Sequence, residues 1–151
     1  MSNFLRSYFC SNNVDGDQVH TPVAISFLDG GGIPVYSLGI SQDECDHFLL
    51  GGFIKAAQHF FLHFFQQHVS YFELDRYGVL LHRKQDLTAI YLFTGSRSSA
   101  EKSLQNLVLR LIENPEVMEA LHITSTTGKS IDQGTQHMMD GMAIESLQIS
   151  N

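Results

Sequence analysis

Two histidines in the middle of the chain have a spacing that can hold a metal ion. His59 and His63 stand four residues apart and would share one face of a helix, as zinc ligands on helices do. The glutamate of the H-E-x-x-H motif is missing, and a third ligand would have to come from His47 or Asp43. Because two ligands do not make a site, we interpret the pair as part of a solvated helix face and predict no metal.

Two other runs resemble phosphate-binding loops only in part. Residues 124–130 end in Gly-Lys-Ser, but Ile123 stands where the first glycine of a Walker A motif belongs. The glycines at positions 30–32 lead into a strand, whereas a dinucleotide fingerprint leads into a helix. No serine or cysteine lies in a recognisable nucleophile motif. We therefore predict that the chain is not an enzyme and binds no cofactor.

Composition limits the classes of partner. The formal net charge is −7 and the nine basic residues are scattered, which argues against nucleic acid and against an anionic membrane surface. No apolar run is long enough to predict direct membrane insertion, and the first residues do not read as a signal peptide. Cys10 and Cys45 are predicted to be free thiols of a cytoplasmic protein, with a disulfide as the alternative.

A long amphipathic helix, predicted over residues 41–68, organises the rest of the chain. Ser41 and Glu44 have the spacing of a capping box at its start. Apolar side chains fall in one arc of about 160°, which needs a sheet to cover it. This arc contains Leu49, Leu50, Phe53, Ile54, Ala57, Phe60, Phe61, Phe64 and Phe65. We predict that Phe53, Phe60 and Phe64 are buried, so that Phe60→Ala costs about 3–5 kcal/mol.

The surrounding pattern predicts an α+β fold. Two strands precede the long helix, and three strands followed by two helices come after it. The strands can form one antiparallel sheet of about five strands with the long helix on one face, in the order ββαβββαα. We assign residues 1–21 to an N-terminal segment and loop, 22–122 to the domain, and 123–151 to a flexible C-terminal extension with a short helix.

Two short motifs give the chain a family resemblance. The run Ile33-Pro34-Val35-Tyr36-Ser37 after a glycine-rich turn, and the run Leu-Leu-Gly-Gly-Phe-Ile-Lys-Ala at 49–56, precede a three-stranded meander. This arrangement resembles the longin and roadblock superfamily, whose domains share a profilin-like sheet. Roadblock domains carry a helix before the first strand, whereas longin domains finish with two helices, and the latter pattern is clearer here.

The resemblance implies a scaffold without catalytic residues. Such a domain would bind small GTPases, or pair with another longin or roadblock protein through a helix or an edge strand. It would act in membrane trafficking or signalling complexes, in the cytoplasm or at membranes through its partners. A different class of function stays open beside it, namely a small-molecule sensor that holds its ligand between helix and sheet.

The residues that best fit an interface lie on the second strand and the long helix. Pro34 near the start of its strand favours an edge position, where unpaired backbone groups attract another chain. Two adjacent glycines inside a helix indicate close approach, either within the chain or by a second copy. The predicted interface, and with it a homodimer, comprises Ile33, Val35, Tyr36, Leu38, Gly51, Gly52 and Lys55. The competing cover for that edge is the N-terminal segment around Phe4 and Phe9.

Overall fold

The computed structural model describes residues 19–40 and 46–147. Predictions for residues 1–18, for the capping box of Ser41 and Glu44, and for both cysteines concern residues outside these ranges, whereas His20 and Thr21 of the predicted N-terminal segment belong to the first strand. Within them the strands are β1 (His20–Leu28), β2 (Pro34–Gly39), β3 (Tyr71–Glu73), β4 (Gly78–Lys84) and β5 (Leu87–Gly95). The helices are α1 (His47–Phe65), α2 (Arg97–Ile112), α3 (Pro115–Thr127) and α4 (Gln133–Ser146).

The strands form one antiparallel sheet in the order β2-β1-β5-β4-β3, which confirms the predicted fold class. β2 and β3 therefore lie at opposite edges, and α1 lies on one face of the sheet. Asp29 shapes the turn between β1 and β2, because its side chain accepts hydrogen bonds from the N–H groups of Gly31 and Ile33. β2 begins at Pro34 and is an edge strand, as the position of this proline predicted.

Helices cover both faces of the sheet. Side chains of β4, of β5 and of β1 from Ala24 onwards alternate between the two faces, and the register shift between Pro22 and Ala24 interrupts the alternation in β1. Under α1, Ile54 packs against a cluster of Val23, Ala24, Leu28, Val79, Leu81, Ile90 and Leu92. On the other face, α2, α3 and α4 bury a larger cluster that includes Tyr91, Phe93, Leu104, Leu107, Leu121 and Met139. The predicted long helix on one face is thus confirmed, and the opposite face carries three helices.

The C-terminal boundary differs from the prediction of an extension from residue 123 onwards. α3 continues to Thr127, where hydroxyl groups of the polar last turns donate to helix carbonyls, such as Thr127 Oγ1 to Ile123 O at 2.6 Å. α4 is a helix of 14 residues, and Met139 and Ala143 are buried in the core. The Ser/Thr-rich composition suggested a loop, but here those hydroxyls bond to the backbone of the helix itself.

The predicted burial of Phe53, Phe60 and Phe64 is wrong. These side chains are 58%, 51% and 64% exposed, whereas Ile54 is 1% exposed. At about 100° per residue, Ile54 and the half-buried Leu50 and Phe61 lie on one half of the apolar arc, and the three exposed rings lie on the other. One helix resting on a sheet contacts it along a strip narrower than this arc, so half of the arc faces outward.

Candidate interaction surfaces

The outward half of the arc carries a row of exposed apolar side chains. We call Leu49, Phe53, Phe60 and Phe64 the aromatic face of α1; Leu49 is 74% exposed. The rings of Phe60 and Phe64 lie 4.7 Å apart between centroids, and Phe53 lies 6.1 Å from the half-buried Phe72 of β3. The aromatic face therefore extends from α1 towards one edge of the sheet.

Charge is nearly absent from this helix, although the chain is acidic. Residues 47–65 contain no aspartate or glutamate, and Lys55 carries their one formal charge. Soluble monomeric proteins rarely leave a contiguous apolar patch of this kind uncovered. Exposed aromatic side chains without neighbouring carboxylates are typical of the centre of a protein–protein interface.

Tight contacts at its N-terminal end hold α1 on the sheet. The Asp46 carboxylate accepts a hydrogen bond from the N–H of Leu49 at 3.1 Å and so caps the helix. The Nδ1 atom of His47 shares a hydrogen bond with the hydroxyl of Ser26 on β1. A Cβ added at Gly51 would lie 2.4 Å from the carbonyl oxygen of Gly32 in the turn between β1 and β2. These contacts fix the rotation of α1 and with it the direction of the aromatic face.

The structure buries two of the seven predicted interface residues. Ile33 and Gly52 are exposed, and Val35, Leu38 and Lys55 are half-buried. Tyr36 and Gly51 are buried inside the chain itself, which removes them from any surface available to a partner.

Intrachain contacts explain the burial of those two residues. The Tyr36 hydroxyl donates a hydrogen bond to Asp140 Oδ1 of α4 at 2.5 Å, and burial together with this bond raises the pKa of Tyr36 well above its usual value. Gly51 is needed for close packing within the chain, since the turn at Gly32 occupies the space beside it. No heavy atom lies within 4 Å of a Cβ added at Gly52, so intrachain packing leaves that glycine unexplained.

The aromatic face is the exposed surface that the sequence prediction missed. Apolar residues at helical spacing usually belong to the core, and the prediction of burial follows that rule. The signal that could have identified it is the width of the arc, since its two edges, Leu49 and Phe65, cannot contact one flat sheet together.

His59 and His63 are exposed on α1, and the His63 ring lies 5.1 Å from the Phe64 ring. Within residues 19–40 and 46–147 no group of three His, Cys, Asp or Glu side chains is placed to hold a metal ion. The two histidines therefore border the aromatic face, and the absence of a metal stays a prediction.

The pair of Ser26 and His47 resembles a catalytic nucleophile with its base. Both side chains, however, are held inside the fold, where they connect neighbouring elements. Ser26 is 2% exposed, and its hydroxyl also lies 3.0 Å from the hydroxyl of Ser37 on β2. Burial is the main cause that lowers the pKa of His47, with Asp46 opposing it. A substrate cannot reach a hydroxyl covered by α1, so we interpret the three side chains as a link between β1, β2 and α1.

The Gly-Lys-Ser run at residues 128–130 follows the C-terminal end of α3, and that end of a helix does not bind phosphate. Gly128 ends α3 with a φ of 72°, and its N–H bonds to Thr124 O. Phosphate cradles use the free N–H groups at a helix N-terminus, whereas carbonyl groups are free at this end.

An apolar cavity of about 20 Å³ lies between the sheet and the helices α2 and α3, lined by Phe27, Leu87 and Leu111 among others. This volume is about that of one water molecule and holds no larger ligand. The cavity also lies on the face away from α1, so it is not the site that a sensor with a ligand under the long helix would need.

Comparisons with known proteins place the chain in no group. No protein-family model matches the sequence, and no curated protein matches it. Of the helices in the described ranges, none combines the length and the apolar character that crossing a membrane requires.

Proposed function

We propose that this chain is a non-enzymatic protein–protein interaction module of longin-like fold, with the aromatic face of α1 as its main docking surface. The observation that carries the proposal is the exposure of Phe53, Phe60 and Phe64 on a helix without acidic residues. The order of the elements supports the fold assignment: two strands, a long helix, three strands and then consecutive helices.

The proposed partner is a small GTPase or another protein of the longin or roadblock type, in a cytoplasmic trafficking or signalling complex. Contact with membranes would come through such partners. The apolar centre of the aromatic face fits an apolar helix or strand surface, and His59 and His63 form a polar border on its flank. Nothing in the described chain points to nucleic acid as a partner, and the net charge of −7 opposes it.

A second copy of the chain is the other partner that the aromatic face fits. Gly52 and Ala56 are exposed beside it on the N-terminal half of α1, whereas Phe60 and Phe64 lie on the C-terminal half. Two such helices packed antiparallel around a two-fold axis between residues 56 and 60 would place each small residue opposite a large one. Gly52 would face Phe64 of the other copy, and Ala56 would face its Phe60. A two-fold interface requires this kind of self-complementarity.

Affinity purification from cells, followed by mass spectrometry, tests the proposal. The bait is the full chain, compared with a Phe60→Ser, Phe64→Ser double variant. An Ile123→Ser, Met138→Ser variant is the matched control, since Ile123 and Met138 are exposed apolar residues on the helices of the opposite face. We expect wild type and control to recover a small GTPase, a like domain or a second tagged copy, and the double variant to lose it. Equal recovery by all three baits would refute a docking role for the aromatic face.

A further inference from the structure

A groove of about 310 Å³ runs along the outer edge of β2. One wall consists of residues 34–37 of the strand, and the other includes residues 128–131 between α3 and α4. Val35, Tyr36 and Ile131 belong to or pack against the cluster under α2, α3 and α4, so the groove lies at the edge of β2 on that side of the sheet, next to the place where another strand would pair.

The outer side of the β2 backbone carries hydrogen-bonding groups in this groove at Ser37 and just beyond its lining at Gly39. Ile40 N–H donates to Val23 O at 2.9 Å, and the register pairs Ile25 with Leu38. Since hydrogen-bonded and non-bonded pairs alternate in an antiparallel ladder, the N–H and C=O groups of Ser37 and Gly39 point away from β1. No strand among residues 19–40 and 46–147 pairs with this side of β2.

Features that normally prevent a sheet edge from pairing with another chain are present at only one end of β2. Pro34 and the irregular register around residue 35 interrupt pairing next to the turn. From Tyr36 to Gly39 the strand carries no charged side chain and no proline. This half of the edge is therefore open to an added strand.

The side chains around the groove define what such a strand should carry. Lys129 is the one charged side chain of the lining, in a chain with a formal net charge of −7. Val35 and Ile131 supply apolar contact, and the lining also contains Ser130 and Gln136 as hydrogen-bonding side chains. A peptide with an acidic residue opposite Lys129 is complementary to this lining.

We propose that this groove binds an extended peptide of another protein, which pairs with β2 and places a carboxylate against Lys129. A lone strand fits between β2 and residues 128–131. A second copy of β2 fits poorly, because a two-fold axis perpendicular to the sheet would bring residues 128–131 of both copies together on the same face. The groove shares no residue with the aromatic face, so this proposal does not depend on the partner of α1.

Selection from a displayed library of random 12-residue peptides, with the immobilised full chain as target, tests the proposal. We expect the selected peptides to contain aspartate or glutamate in an otherwise extended, β-forming sequence. Lys129→Glu should weaken the best peptide about tenfold or more, since it replaces attraction by repulsion. Lys102→Glu on α2 is the matched control with the same change in net charge, and it should bind as wild type does.

Backbone pairing is tested with the same peptide. Single N-methylation should abolish binding at alternate residues, those whose N–H faces β2, and should have little effect at the others. Hydrogen exchange should show new protection of the Ser37 and Gly39 amides on binding. The proposal is overturned if no acidic peptide is selected, if Lys129→Glu and Lys102→Glu weaken binding equally, or if N-methylation shows no alternation. Binding that appears only after deletion of residues 1–18 would also overturn it, because the chain's own N-terminus would then be the occupant.

Discussion

A single histidine links three elements on the face opposite α1. His20, at the start of β1, hydrogen-bonds through Nδ1 to the Ser99 hydroxyl at 2.8 Å and through Nε2 to the Tyr91 hydroxyl at 2.7 Å. Its ring also meets the ring of Tyr91 edge-on, with centroids 5.6 Å apart. Burial lowers the pKa of His20 from its usual value of 6.5 and raises that of Tyr91. The fold therefore favours the neutral imidazole.

This preference predicts a loss of stability in mild acid. Above about pH 7 the imidazole is neutral in both the folded and the unfolded chain, so its contribution to stability does not change with pH. As the pH falls through 6.5 the unfolded chain binds the proton more readily, because the folded-state pKa of His20 is lower. Urea unfolding between pH 5 and pH 8 should show the free energy of unfolding decreasing below about pH 6.5.

Variants separate the contributions of the histidines. His47, whose pKa is also lowered, contributes in the same direction, so His20→Gln should reduce the pH dependence without removing it. His122→Gln, at an exposed position of α3, is the matched control for the loss of one imidazole. An identical profile for wild type and His20→Gln would show that the burial of His20 imposes no penalty on its protonated form.

The two adjacent glycines of α1 should respond in opposite ways to alanine. The added methyl of Gly51→Ala meets the Gly32 carbonyl oxygen, so α1 or the turn must shift, and a loss of about 1–3 kcal/mol is expected. Gly52→Ala meets no atom and should raise stability by up to about 1 kcal/mol through helix propensity. Chemical denaturation of both variants measures the difference. Equal effects of the two changes would contradict the close packing at Gly51.

At the scale of the element, α1 combines a buried side with an exposed side. Ile54→Ala should reduce the free energy of unfolding by about 2–5 kcal/mol, because it leaves a cavity under the helix. Phe60→Ala should cost no more than about 1 kcal/mol, since half of its surface already contacts solvent. Thermal and urea unfolding of the two variants provide the comparison. A larger loss for Phe60→Ala than for Ile54→Ala would mean that the aromatic face is covered within the chain.

α4 also contains a buried residue directly beside an exposed one. Met139 is 1% exposed and Met138 is 41% exposed, so Met139→Ala should cost about 2–5 kcal/mol and Met138→Ala much less. Urea unfolding of the two variants measures whether α4 is part of the cooperative unit. If both changes leave the midpoint unaltered, α4 does not contribute to the stability of the domain.

Sequence patterns predicted the sheet well because strand alternation and turn residues are local signals. The edge position of β2 followed from Pro34, and the strong apolar run of β5 predicted a strand, which the structure places at the centre of the sheet. The facing of α1 could not be predicted, because the arc shows which residues are apolar and not which half of the arc meets the sheet. α4 was underestimated because its core contacts come from few residues, Met139 and Ala143 with Leu147 just beyond its end. Such a pattern gives little periodic signal until the sheet that it covers is known.

At the scale of the whole molecule, the described chain leaves two surfaces for other chains, the aromatic face and the edge of β2. The sequence predicted a homodimer through β2 and the two glycines. Tyr36 and Gly51 are engaged within the chain, and residues 128–131 stand beside the edge of β2, so pairing of two copies fits α1 better. α1 also carries no carboxylate, so two acidic chains would meet there with the least repulsion.

Light scattering at micromolar concentration should therefore detect a dimer that depends on size complementarity along α1. Gly52→Phe should weaken it, because a large side chain would then face Phe64 of the other copy, and the monomer should stay folded since the position is open. Phe64→Ala should weaken it by removing apolar contact from the same place. The double variant with Gly52→Phe and Phe64→Ala restores one large and one small residue at each end of the two-fold contact and should recover association.

If the double variant associates more weakly than both single variants, the antiparallel register is wrong. If wild type is a strict monomer at these concentrations, the aromatic face serves a different protein.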